Sequence, residues 1–303
     1  GRMNAPSQDR PVLGVLWMLA TGLSFVVVNG IVRYLGTALP APQSAFIRFA
    51  WGLLFLLPAL RPVLRSGFGP RVWGLFALRG GLHTLAVILW FFAMARIPIA
   101  EVTAIGYLNP IMVTIGAALL FGEGFAWRRM LAIGVALIGA LIVLRPGLRE
   151  ITPGHYAQLG AALVFGASYL VAKRLTQLAP AGVVVALMAL TVTIGLAPFA
   201  AAVWQPVTLT QVLWLGGVAV FATLGHYCMM RAFACAPMTV TQPVTFLQLV
   251  WATLLGWLMF GEAVDPWVLV GGGLIIGAIS YMTWRESRIK RRTTTPPVNA
   301  TKG

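Results

Sequence analysis

Two histidines and one carboxylate sit inside or beside long apolar runs of this chain, where ionisable side chains are costly and are functional suspects by default. His83 recurs with Val87, Trp90 and Met94 at the three- and four-residue spacing of one helix face, and His226 does so with Thr223, Met230 and Phe233. An imidazole on such a face titrates near neutral pH and hydrogen-bonds through either nitrogen, so it can line a solute path or carry a proton. A histidine satisfied within a packed core fits the same pattern. Glu101 follows the turn residue Pro98 by three positions and points roughly away from the stripe Thr103, Tyr107, Pro110 and Thr114. It stands as the candidate proton or gating group, with a place at the membrane interface as its other reading.

Polar and aromatic residues share further stripes. The first run carries Trp17, Thr21, Ser24 and Val28, the sixth carries Ser168 and Tyr169, and the ninth carries Thr241, Thr245, Gln248 and Ala252. A lone Thr or Ser in an apolar helix often only joins helices, whereas the full amide of Gln248 is harder to leave unpaired. These stripes predict a common cavity lined by Trp17, Thr21, Ser24, His83, Trp90, Tyr107, Tyr169, His226, Thr245 and Gln248. A mixed aromatic and uncharged lining suits a neutral or zwitterionic solute with an apolar side chain, whereas a phosphate site would want paired Lys or Arg. The mid-run cations Arg48 and Arg79 lie toward the turns of their runs and are read as snorkelling outward, or one of them as pairing a substrate carboxylate. There is no HExxH and no G-x-S-x-G, and the two in-run histidines have no Asp close in sequence, so catalysis, a metal site and a cofactor are not expected.

The elements that must position these residues follow from composition. Of 303 residues, 59% are hydrophobic and 10% charged, against about 25% charged in soluble domains. Apolar runs of about 20 residues succeed one another, which is the pattern of a polytopic all-α membrane protein, and a β-barrel would alternate apolar and polar instead. Ten spans are predicted, near 11–35, 42–60, 72–95, 99–121, 126–144, 155–175, 181–203, 209–233, 238–260 and 266–284. They are separated by turn signals such as Pro40, Pro98, Arg145-Pro146-Gly147, Pro180 and Asp265-Pro266. The net charge of +15 sits at run ends and in the tail, so nucleic acid is not an expected partner. Cys228 and Cys235 fall on one helix, at a spacing too long for a disulfide. Gly1-Arg2 before Met3 reads as a cloning remnant, and the first run is too long for a signal segment.

The halves repeat. A shift of 139 places Pro98 on Pro237 and Phe121-Gly122-Glu123 on Phe260-Gly261-Glu262; a shift of 140 places Phe25 on Phe165, Arg33 on Lys173 and Pro40 on Pro180. Five spans per half is an odd number, so the second half enters from the opposite side, an inverted repeat of the kind secondary transporters use. The expected organisation is an N-terminal segment 1–10, a first five-helix repeat 11–145, a second inverted repeat 155–284 and a basic tail 285–303. With both termini on one side, that side holds 16 Lys and Arg and the other 4, with Arg48 and Arg79 inside spans. The termini are therefore expected in the cytoplasm. Gly122 and Gly261 are expected to end their helices in the left-handed conformation, with Glu123 and Glu262 facing the next helix start. Gly134, Gly139, Gly273 and Gly277 read as close-packing positions, and dimerisation is a weaker inference from them.

The stretch Ala93 to Leu144, AMARIPIAEVTAIGYLNPIMVTIGAALLFGEGFAWRRMLAIGVALIGALIVL, resembles the EamA family of the drug/metabolite transporter superfamily. The features shared are an Ala-rich helix end, a tight turn, a Pro-containing fourth span ending in Gly-Glu and a Gly-spaced fifth. Ala232 to Tyr281 repeats them, with Leu249 in place of Pro110. Within the family the chain is most similar to the YddG-type exporters of aromatic and other amino acids. The resemblance implies a ten-helix, two-repeat carrier of the bacterial inner membrane, exporting amino acids and related metabolites through a central cavity. Passive exchange by alternating access is expected, with proton-coupled efflux of drugs or cationic compounds as the alternative. Its partners would be the small-molecule substrate and the lipid bilayer, and the chain would be a monomer or weak homodimer.

Overall fold

A computed structural model describes residues 10–109, 112, 116, 119, 127–145, 147–235, 244 and 246–294. Ten α-helices are described: α1 Pro11–Leu35, α2 Ala41–Leu56, α3 Pro70–Met94, α4 Ile99–Gly106, α5 Trp127–Leu144, α6 Pro153–Thr176, α7 Ala181–Ala202, α8 Leu209–Cys235, α9 Phe246–Phe260 and α10 Pro266–Thr294. Their order matches the sequence reading. Pro11, Pro70 and Pro153 occupy first-turn positions, where the missing N–H is no loss, and Pro40, Pro98 and Pro180 stand at N-caps. Gly261 closes α9 at φ 63, the left-handed turn expected of it, while Gly122 and Glu123 lie outside the described residues.

Three boundaries depart from expectation, the first being α4, which ends at Gly106 with turn residues Tyr107 and Leu108 inside the predicted span 99–121. α2 gives way at Leu57 to a 3₁₀ segment, Leu57–Arg65, that holds Pro58 and Pro62. Proline removes the N–H that an α-helix would use and crowds the preceding turn, so the tighter winding takes over. α10 continues through Arg285 and Arg288 to Thr294, ten residues past the predicted span. Among the described residues, five helical segments are long and apolar enough to cross a membrane by length and composition: Val12–Leu35, Ala41–Arg65, Pro70–Met94, Gly182–Ala202 and Leu209–Met229. Met130–Leu144, Leu247–Phe260 and Pro266–Tyr281 are shorter apolar helices.

The main helix contacts cross between the halves. α1 packs on α8, α3 on α6, α5 on α10, α2 on α7 and α4 on α9. Exchanging the halves turns the first pair into the second and each of the others into itself, which is what a two-fold relation between five-helix units requires. The shared core includes Val32, Phe49, Met94, Ile105, Val143, Leu196, Leu215, Leu249 and Ile275.

α5 and α10 touch through glycine, at positions only partly foreseen. A Cβ on Gly139 would lie 2.6 Å from the Gly271 carbonyl oxygen, and one on Gly271 would lie 2.5 Å from that of Gly139. Gly134 and Gly277 have open space around them, and Gly273 and Gly277 line an outer groove between the two helices. The G-x-x-x-G pair is thus not the close contact. Backbone cannot move aside as a side-chain tip can, so Gly139→Leu is expected to destabilise by about 1–3 kcal/mol or more. Gly134→Leu is expected to be tolerated. Melting of both variants in the same detergent checks the contrast.

Candidate functional site: a central cavity between the halves

A cavity of about 330 Å³ opens at the centre of the bundle, with walls from α1, α2, α3, α4, α6, α8 and α9. Each wall presents a face set by helical spacing. α1 supplies Phe25, Val28 and Asn29; α2 supplies Arg48 and Phe49; α3 supplies His83, Val87, Trp90 and Met94. From α4 and the turn after it come Thr103, Tyr107 and Asn109, and from α6 Gln158, Phe165 and Tyr169. α8 and α9 complete it with His226 and Gln248.

The aromatic part is ordered by ring contacts. Phe165 and Tyr169 stack at 6.1 Å between centroids and 15° between planes. His83 meets Phe165 edge-on at 5.2 Å and Phe49 at 6.1 Å, and its Nδ1 lies 3.1 Å from the Ser168 hydroxyl. On the facing wall His226 meets Phe25 edge-on at 5.3 Å. Offset and edge-on rings of this kind hold one another at defined angles.

Six expected residues line this cavity: His83, Trp90, Tyr107, Tyr169, His226 and Gln248. Three others do not. Trp17 packs edge-on against Tyr227 of α8 at 6.1 Å, with the Arg231 guanidinium 5.4 Å from its ring. The Thr21 hydroxyl donates to the Trp17 carbonyl and that of Ser24 to the Ala20 carbonyl, back-bonds that satisfy them within α1. The lining face of α1 runs through Phe25, Val28 and Asn29, so Val28 of the predicted stripe reaches the cavity while the face turns toward Phe25 and Asn29, nearer the end of the helix. Thr245, like Pro110 and Thr114, lies outside the described residues. Phe25, Asn29, Phe49, Asn109, Gln158 and Phe165 went unforeseen, although Asn29 and Gln158 carry the same signal as Gln248, a full amide in an apolar helix.

The mid-span arginines do not snorkel. Arg79 is 7% exposed, and its Nη1 donates to the Val184 carbonyl of α7 at 3.5 Å. Arg48 faces the cavity, its Cζ 4.0 Å from the centre of the Phe49 ring.

Ionic contacts gather at the end of the bundle that carries the α3–α4, α5–α6 and α9–α10 turns. Glu101 is 4% exposed and pairs through Oε1 with Arg149 and, at 3.1 Å, with His155 Nε2. The Thr152 backbone N–H donates to His155 Nδ1 at 3.1 Å, and His155 Nε2 lies 2.8 Å from Arg149 Nη2 as well as 3.1 Å from the Glu101 carboxylate. Arg33 pairs with Glu262 at 3.0 Å and donates to the Ile97 carbonyl at 2.8 Å and the Met94 carbonyl at 3.2 Å. Glu262 also accepts the Ile99 N–H at 3.2 Å, at the start of α4. Burial pushes the Glu262 carboxyl above its ordinary value, opposed by Arg33. Arg145 pairs with Asp265. The Gln43 amide exchanges two 2.8 Å bonds with the Gln205 backbone, tying α2 to the end of α7. The four ion pairs, the Ile99–Glu262 bond and the Gln43 bonds join the first half to the second or to the turn between them, while the Arg33 bonds to Met94 and Ile97 stay within the first half.

Residues 12–145 and again 152–284 match the EamA-like transporter family. The chain is 30% identical over 291 residues to a riboflavin transporter of Vibrio cholerae serotype O1, an alignment covering 94% of this chain and 97% of the relative. It is 24% identical to an S-adenosylmethionine uptake transporter of Rickettsia bellii, over 91% of this chain and 95% of that one. It is also 26% identical to a pseudopaline exporter of Pseudomonas aeruginosa, over 88% and 94%. None of the three is named for amino acids, and one is named for uptake and one for export.

Proposed function

From the premise that this chain belongs to the EamA-like transporter family, and is a membrane transporter rather than an enzyme, we propose that it carries small aromatic metabolites through its central cavity. Aromatic and other neutral amino acids are the first class to test. The observation that carries this reading is the lining itself, in which rings from α1, α2, α3 and α6 and from Tyr107 after α4 share the wall with the amides of Asn29, Asn109, Gln158 and Gln248. Rings take up an apolar side chain or a planar body, and amides orient polar groups without demanding a net charge.

The carrier sits in the bacterial inner membrane with both termini in the cytoplasm, a placement supported by the 16-to-4 distribution of Lys and Arg. Outward movement follows the solute gradient, by rocking of two inverted five-helix repeats about the cavity. The place of Glu101 supports a passive cycle: it is held by Arg149 and His155 and does not line the cavity. A riboflavin-like heteroaromatic is the second reading, favoured by the name of the 30% identical relative. Purified chain in liposomes preloaded with L-phenylalanine is expected to exchange it for labelled L-phenylalanine at symmetric pH, with excess unlabelled tryptophan competing. Riboflavin flux in the same liposomes without exchange of L-phenylalanine would replace the first reading with the second. No flux of either solute would sink both.

A further inference from the structure

Arg48 is the one charged residue among the described residues that line the cavity, apart from histidine. Its guanidinium lies over the Phe49 ring and folds back along α2, where a Cβ on Gly52 would come within 3.2 Å of Nη1. Among the described residues no carboxylate pairs with it. Glu101, Glu262 and Asp265 are held by Arg149, Arg33 and Arg145 at the turn end, and Glu150 is exposed. An unpaired cation within apolar helices is costly unless something completes it, and Arg stays charged in such a place.

The α4 and α6 side of the same cavity has the opposite lack. Gln158 is 3% exposed, and its Nε2 donates to the Val102 carbonyl at 2.9 Å. That bond fixes the amide orientation, since a flipped amide would set oxygen against oxygen. Gln158 Oε1 is then buried with no donor, and Asn109 Oδ1 is likewise buried without one. A buried acceptor left unmade costs about 1–3 kcal/mol. Both residues line the cavity that Arg48 faces.

Resting on the reading of the cavity as an aromatic-solute site, we infer that the cavity reads a zwitterion: Arg48 takes the solute's carboxylate, and the amide oxygens of Asn109 and Gln158 take its ammonium N–H groups. One bound molecule then completes a buried cation and two buried acceptors, while the rings hold its side chain. Charge-assisted bonds of this kind are roughly twice as strong as neutral ones, so the polar ends select the solute and the rings tolerate variation. A solute with only one of the two charges leaves one wall unpaired, and the site rejects it.

The test is equilibrium binding to the full chain in lipid nanodiscs, with four probes: L-phenylalanine, 3-phenylpropionate lacking the ammonium, L-phenylalaninamide lacking the carboxylate, and riboflavin. L-phenylalanine is expected to bind at least tenfold tighter than either truncated analogue. Arg48→Gln is expected to weaken L-phenylalanine and 3-phenylpropionate at least tenfold and to leave L-phenylalaninamide unchanged, and Arg48→Lys is expected to keep part of the carboxylate preference. Gln158→Leu should weaken L-phenylalanine and L-phenylalaninamide and spare 3-phenylpropionate. Melting of each variant in the nanodisc separates these losses from misfolding, and the selective pattern across probes is one that misfolding does not give. Equal binding of all three phenyl probes, or equal loss of all three in Arg48→Gln, overturns the inference. Binding of riboflavin alone overturns it too but leaves the aromatic-carrier reading standing, and binding of no probe removes both.

Discussion

Replacing Glu101 by Leu lowers the stability of the folded chain by about 3–5 kcal/mol, the range for removing one member of a buried ion pair. Glu101 is the common partner of Arg149 and His155, and without it the two are left to each other, 2.8 Å apart between Arg149 Nη2 and His155 Nε2, and to the Leu144 carbonyl at 3.0 Å from Arg149 Nε. Arg149 is 23% exposed, so water recovers part of its loss and places the effect toward the lower end. Glu101→Gln keeps one acceptor oxygen and costs less. Because Glu101 lies outside the cavity lining, exchange of L-phenylalanine per folded molecule at symmetric pH is expected to persist in Glu101→Gln. Thermal melting and counterflow on the same liposome preparations check the two halves of this prediction. Exchange lost at unchanged melting temperature would make Glu101 part of the transport cycle.

Arg33→Met is the second large effect. One guanidinium there serves the carboxylate of Glu262 and the carbonyls of Met94 and Ile97, joining the ends of α1, α3 and α9 at the start of α4. Removing it leaves a half-buried carboxylate without its cation and two carbonyls without their donor, a loss of about 2–4 kcal/mol concentrated at the turn end. The cavity is expected to become accessible from that end. A cysteine placed at Thr103, in a chain lacking Cys228 and Cys235, should react with a membrane-impermeant maleimide several-fold faster in Arg33→Met. Arg33→Lys keeps one point charge without the planar fork and should fall between the two. Unchanged labelling from both sides would show that Arg33 holds only local structure.

The helix order was legible in the sequence because in lipid every backbone polar group must be satisfied within its own segment. A polytopic chain therefore writes its helices as apolar runs, and proline and glycine mark most of their ends, as at Pro11, Pro98, Pro180 and Gly261. The likeness of the halves was legible as well, since the family matches each of them separately, and Phe25 and Phe165, aligned by the shift of 140, both line the cavity. His83 and His226 were found by type and spacing alone, because a polar ring on an otherwise apolar face has few reasons to be there.

Which face of each helix meets the cavity was decided by tertiary packing. Helical spacing defines a stripe but does not say what it faces, and on α1 the stripe with the most polar residues was satisfied by its own backbone while Phe25 and Asn29 turned inward. Charge behaves the same way. The sequence shows that Arg33, Glu101, Arg149 and Glu262 exist, but pairs separated by 48 or more positions form only when the halves come together. Arg48 stands on the cavity wall without a carboxylate among the described residues, since Glu101, Glu262 and Asp265 pair with other arginines at the turn end and Glu150 is exposed, an outcome that depends on three-dimensional distance and that no local pattern encodes.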